Sequence, residues 1–229
     1  PGRGPIESRA MGRFLYGTSS WSEKSWAGVF YPQGSRPGEW LSHYATQFAT
    51  VEADVTYYRV PDPALVRGWD EKTPDGFRLA AKFPRSVVHG GEGARPAPDA
   101  VLVSDEAARD RDEFLASMGL LGAKCGPLVL QFPYFNRSVF AGPGPFLERL
   151  DRFLGALPGD FRYGVEVRNK DWIAPPLLAL LRSHRTALVW VDLAYMPHPE
   201  RLARALDLVT TDFVYARLIG DRKAVEART

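Results

Sequence analysis

Only one cysteine, Cys125, occurs in 229 residues, so no intramolecular disulfide can staple the fold. The sequence also has no run of eighteen apolar residues and no signal-peptide apolar core, so the expected compartment is the cytoplasm, with no membrane partner. Neither charge sign dominates: 29 Lys and Arg face 27 Asp and Glu, for a net charge of +2 and a pI near 8.8. Bulk charge therefore gives little support for a nucleic-acid partner. Four histidines are too few for a multinuclear zinc cluster, and His43 and His184 fall on helical stretches while His198 lies in MPHPE. His89 alone is left near the expected pocket. A glycine-rich dinucleotide fingerprint is missing too, because GTSSW follows the first apolar run.

The residues that are present describe a globular chain. A 45% hydrophobic fraction with 24% charged residues exceeds what disordered segments carry, and the length suits one α/β domain. Residues 1–12, which begin PGRGPIESRA, are expected to be a disordered leader or cloning remnant, with a single domain over residues 13–229.

Within that domain a short apolar run ending in a polar residue recurs, followed by an amphipathic stretch. The runs predict seven strands: Phe14 to Ser19, Thr50 to Asp54, Phe77 to Lys82, Pro127 to Phe132, Arg162 to Arg168, Ala187 to Asp192 and Phe213 to Leu218. Helical faces stand between them, among them Trp40, Leu41, Tyr44 and Phe48, then Leu65, Val66 and Trp69, where Asp62 and Pro63 supply an N-cap and first residue. Strand and helix alternation implies a parallel sheet. Polar residues at nearly every strand end favour a TIM-like β/α barrel over an open doubly wound sheet, with seven strands readable and an eighth missing. Phe83 to Ser104, rich in glycine and proline, reads as an inserted loop, either a lid or a surface excursion.

Alternation along the strands sends Glu52, Asp54, Lys82, Gln131, Glu166, Arg168, Asp192 and Arg217 toward one side at the carboxyl ends, where barrel pockets are built. Glu52, Glu166 and Asp192 are the candidate acid/base groups, and Lys82 is a Schiff-base candidate or an ion-pair partner. Arg168 and Arg217 suit an anion through their planar forks. Gln131 is a further substrate contact, His89 is either another or a hydrogen-bonding group of its loop, and Trp21 and Tyr57 are placed to stack on a ligand or to pack in the core or at the rim. No metal ligand set is assigned, and the cofactor allowed by these carboxylates is at most one magnesium or manganese ion.

The ordered blocks GTSSWSEKSWAGVFYP, TVEADVTYYRVP, FRLAAKFPRSVVHGGEG, LVLQFPYFN, YGVEVRNKDW and FVYARLIGDRKAVEA resemble the YecE-like family, a domain of unknown function, over roughly Tyr16 to Gly220. The resemblance implies a TIM-like barrel similar in outline to sugar isomerases and an apurinic endonuclease family. It also implies that Glu52, Lys82, His89, Gln131, Glu166, Arg168, Asp192 and Arg217 are characteristic strand-end residues. It carries no established reaction. By the same resemblance a further helix and closing strand are expected beyond Thr229.

Three functions follow as expectations. The leading one is an enzyme, of hydrolase or isomerase/lyase type, acting on a small phosphate- or sugar-bearing substrate. The others are a nucleic-acid-binding or processing barrel and a noncatalytic metabolite-binding scaffold.

Overall fold

The computed structural model describes residues 12–91 and 93–221. The expected leader, apart from Gly12, and any segment closing the fold after Asp221 lie outside the described residues.

Six strands form one all-parallel sheet in chain order: β1 (Thr50–Ala53), β2 (Arg78–Lys82), β3 (Cys125–Gln131), β4 (Tyr163–Glu166), β5 (Ala187–Leu193) and β6 (Tyr215–Gly220). The connecting α-helices are α1 (Pro37–Gln47), α2 (Pro63–Glu71), the short α3 (Arg85–Val88), α4 (Asp105–Gly119), α5 (Pro143–Gly155), α6 (Pro175–Ser183) and α7 (Pro199–Ala203). Local chemistry sets their starts. Asp62 accepts the Ala64 N–H at 2.7 Å ahead of Pro63, and Ser104 accepts the Ala107 N–H at 3.0 Å, each satisfying an orphan donor of the first turn. None of the described helices is long and apolar enough to cross a membrane.

The sheet separates two apolar layers. Outward residues such as Val51, Leu79, Leu128, Leu130, Val165 and Leu188 pack under the helices in the main core. On the concave side Val129, Val189 and Val191 gather with Leu193, Tyr215 and Ile219. Parallel strands buried on both faces carry apolar residues at both parities, as these do.

The seven-strand barrel is overturned: the described residues form an open six-stranded sheet, and no backbone ladder joins β6 to β1. The expected strand from Phe14 to Ser19 keeps a single bridge, Ser19 to Glu52. A side chain takes the place of the ladder. The Thr18 N–H donates to the Tyr44 hydroxyl at 2.7 Å, and that hydroxyl donates to the Thr50 carbonyl at 3.1 Å, so Tyr44 stands between the two backbones. Gly17 comes so near Thr50 that a Cβ would lie 1.9 Å from its carbonyl oxygen.

The inserted segment is anchored rather than free. Val87, Val88 and Val101 are fully buried, the Leu102 N–H donates to the Val87 carbonyl at 3.0 Å, and the Ala97 N–H donates to that of His89 at 3.0 Å. Gly90 makes the reversal at φ +81, where a Cβ would meet the Ala97 carbonyl at 2.9 Å.

Candidate functional site

All strands being parallel, their carboxyl ends open at one end of the sheet, and most of the predicted polar residues meet there. Glu52, at the end of β1, is the hub. Its Oε1 accepts from Arg217 Nη2 at 3.0 Å and faces Lys82 Nζ at 3.2 Å, and its Oε2 accepts the Tyr215 hydroxyl at 2.7 Å. Arg217 reaches back from β6 to three other strands. Besides Glu52 on β1, its Nη1 donates to Glu166 Oε2 of β4 at 2.6 Å and to Gln131 Oε1 of β3 at 2.7 Å. Glu166, fully buried, also accepts from Arg168 Nε at 3.1 Å.

The outer side of this network is Asp54, which pairs with Lys82 and accepts the Ser19 hydroxyl at 2.6 Å. Its side chain is 36% exposed, against 5% for Glu52 and 0% for Glu166, which makes it the accessible carboxylate of the three. Burial pushes the Asp54 pKa up, but hydrogen bonds from Lys82 and Ser19 outweigh it and hold the group below the usual carboxylate range. Burial opposes the charge on Arg217, and the Glu166 and Glu52 carboxylates more than offset this, raising its pKa. Burial, reinforced by Glu52, raises the Tyr215 pKa well above that of a free phenol, so its hydroxyl remains a donor.

Tyr57 is half-buried beside this network. Burial raises its pKa against the opposing charges of Arg85 and Arg168. His89 is buried at the end of α3, its backbone N–H donating to the Arg85 carbonyl at 2.8 Å. Trp21 packs edge-on against Trp69 of α2 at 5.7 Å, on the side of the main core.

Asp192 is not brought to the ring. Leu188 and Trp190 share its parity and pack toward the main core, while Val189 and Val191 occupy the concave side. Asp192 is paired in register with Leu218, whose side chain is exposed, whereas Val191 is paired with Arg217. It joins none of the hydrogen bonds of the network. The run VWVDL is apolar on both faces, so alternation alone gave the wrong side.

Ser19 and Tyr215 are members that the sequence reading missed. Tyr215 shares the parity of Arg217 two residues later, which is a usable signal; Ser19 needed the bridge between the N-terminal segment and Glu52.

Among the described residues no three His, Cys, Asp or Glu side chains form a metal-binding group. The two buried glutamates are instead spanned by the Arg217 guanidinium. A separate cavity of about 240 Å³ lies at the opposite, amino end, between residues such as Arg13, Gln47, Asp75 and Phe77, and it contains none of these groups.

Residues 15–229 match the family described as protein of unknown function DUF72. The chain belongs to the DUF72 family. This DUF72 chain is 35% identical over 158 residues to UPF0759 protein YecE of Escherichia coli (strain K12), covering 69% of the chain and 49% of YecE. It is 23% identical over 175 residues to UPF0759 protein YunF of Bacillus subtilis (strain 168), covering 76% of the chain and 57% of YunF. The chain thus spans about half the length of these DUF72 relatives. Its fold is similar to crystal structures of DUF72 family proteins from Thermotoga maritima MSB8 and Enterococcus faecalis V583. The first is 26% identical with a TM-score of 0.66, covering 93% of this chain and 76% of that one. The second is 22% identical with a TM-score of 0.65, covering 92% and 72%.

Proposed function

We propose that the strand-end ring is a substrate site, and that this DUF72 chain is an enzyme acting on a small phosphate- or sugar-bearing molecule by carboxylate acid/base chemistry. The observation that carries the reading is the concentration of Glu52, Glu166 and Arg217, all largely buried, at the open end of the sheet. Desolvating such charges costs several kcal/mol per ion, roughly, and well-packed apolar residues would be as stable or more so. An apolar layer already fills the concave side around Val129, Val189 and Val191. The charges therefore serve something other than packing.

Roles divide by accessibility. Glu52 and Glu166 spend their oxygens on Arg217, Tyr215, Lys82 and Arg168, which makes them organisers of the ring. Asp54, accessible and ionised at neutral pH, is the group to accept a proton or hydrogen bond from a substrate hydroxyl. Arg168 uses Nε on Glu166, leaving its terminal nitrogens for substrate oxygen.

Thermal-shift and turnover screening of the purified chain against a panel of monosaccharides and sugar phosphates tests this. Conversion or stabilisation by a panel member, lost in Asp54→Asn with the fold retained, is the expected result. A full panel without effect on either readout overturns it.

A further inference from the structure

Tyr57, Arg85 and Arg168 stand just past the carboxyl ends of β1, β2 and β4, which finish at Ala53, Lys82 and Glu166. The sheet is all parallel, so all three belong to the end that carries the ring. The Thr56 hydroxyl accepts the Lys82 N–H at 3.0 Å and lies 2.8 Å from the Lys82 carbonyl oxygen, which fastens the turn bearing Tyr57 against the end of β2, just ahead of Arg85. Arg168 is held by Glu166, which its Nε reaches at 3.1 Å. Both arginines act on the same phenol. Burial raises the Tyr57 pKa, and of the charges around the hydroxyl those of Arg85 and Arg168 act on it more strongly than that of Glu166. The local field is positive.

Each of the three leaves donors unused. Among the described residues the Tyr57 hydroxyl has no hydrogen-bond partner, and burial keeps it protonated. Arg168 engages Nε alone and its side chain is 27% exposed, so both terminal nitrogens are open to a ligand. Arg85 donates one terminal nitrogen to the Gly93 carbonyl and, among the described residues, pairs with no carboxylate.

The charge count points the same way. Glu52, Asp54 and Glu166 match Lys82, Arg168 and Arg217, and Glu166 is shared between two of these arginines. Arg85 is a fourth cation at this end and leaves the group one positive charge in excess. A neutral ligand would leave that charge standing, whereas an oxyanion neutralises it. Planar guanidinium groups grip phosphate oxygens through paired N–H bonds. A phosphate has three terminal oxygens to share between two such groups and a phenol; a carboxylate has two.

The geometry points to a phosphate-ester subsite, in which the phosphate of a small substrate is held by Arg85, Arg168 and the Tyr57 hydroxyl while its hydroxyl-bearing part faces Asp54. The inference rests on the proposed reading of the ring as a substrate site. It adds the substrate class and a residue, Arg85, that the ring itself does not contain.

Calorimetric titration of the full chain with inorganic phosphate and with glucose 6-phosphate, at constant ionic strength and beside glucose, acetate and an oligo-dT strand, tests it. Both phosphates should bind, about tenfold more weakly in Arg85→Ala and about threefold more weakly in Tyr57→Phe, with the melting temperatures of the unliganded variants unchanged. Arg85→Lys, which keeps the charge and a donor, should recover part of the loss, and Asp54→Asn should not weaken inorganic phosphate. Phosphate binding that neither Arg85→Ala nor Tyr57→Phe weakens, or acetate bound as tightly as phosphate, overturns the subsite. Binding or conversion of glucose that Asp54→Asn abolishes, with inorganic phosphate unbound at millimolar concentration, overturns the subsite and spares the proposed function. Oligo-dT binding that falls steeply with salt, without binding of inorganic phosphate, overturns the small ester in favour of a nucleic-acid backbone. Failure of every probe overturns the subsite and counts against the ring as a substrate site.

Discussion

Arg217 on the last strand of the sheet holds Glu52 on the first, Nη2 to Oε1 at 3.0 Å, although no backbone ladder joins those strands. The contacts between these two edges are made by side chains, the Tyr215 hydroxyl also donating to Glu52 Oε2 at 2.7 Å. Through its other nitrogen the Arg217 guanidinium reaches Glu166 and Gln131, so one residue of β6 contacts side chains of β1, β3 and β4.

Arg217→Ala should therefore be costly. It leaves fully buried Glu166 without its 2.6 Å partner, and breaking a buried pair from one side costs about 3–5 kcal/mol. Urea denaturation of the purified variant measures it. A loss below about 1 kcal/mol would mean that water reaches the glutamates and compensates their charge.

Two glycines should respond in opposite directions to the same change. Gly17→Ala drives a Cβ to 1.9 Å from the Thr50 carbonyl oxygen and should detach residues 18–20 from β1, lowering the melting temperature. Gly68 lies within α2 with open space around it, and Gly68→Ala should raise stability by roughly 0.5–1 kcal/mol through its better helix propensity. Paired thermal melts check both. Equal tolerance would show that the N-terminal segment is not docked against Thr50 as described.

The pH dependence of stability should carry the mark of Asp54. Its folded pKa is depressed, so its contribution is fully present above the unfolded value of about 3.9 and is lost as pH falls through the lower folded value. Asp54→Asn should flatten the decline in melting temperature below about pH 4, leaving the curve at neutral pH parallel to that of the parent. An unchanged acid limb would contradict the pairing of Asp54 with Lys82 and Ser19.

Much of this was legible in the residues, and the failures have physical causes. The runs around Val51, Leu79, Val129, Val165, Val189 and Ala216 became the six strands because alternation and turn residues are local properties of the chain. Glu52, Lys82, Gln131, Glu166 and Arg217 converge because each is a polar residue near the carboxyl end of a parallel strand and all are turned to the same face. Asp192 was misread because its strand is apolar on both faces, so no local signal distinguishes inside from outside. Phe14 to Ser19 has strand-like residues, yet the Tyr44 hydroxyl occupies the place of its ladder, and that contact spans 26 residues of sequence. The Ser19 contact with Asp54 is equally non-local.

On the function we propose, the charges at the strand ends serve a ligand and are not needed to hold the fold together. The most direct test of this reading is the urea midpoint of a sixfold variant, Glu52→Leu, Lys82→Met, Gln131→Leu, Glu166→Leu, Tyr215→Phe and Arg217→Met, in which the buried polar partners are removed together. Because apolar replacement of a buried ion network is often neutral or stabilising, a cooperative transition with a midpoint no lower than that of the parent is expected. A lower midpoint that corresponds to a loss of roughly several kcal/mol in unfolding free energy, or loss of the cooperative transition, would show that the network is there to hold the sheet together and would contradict this reading.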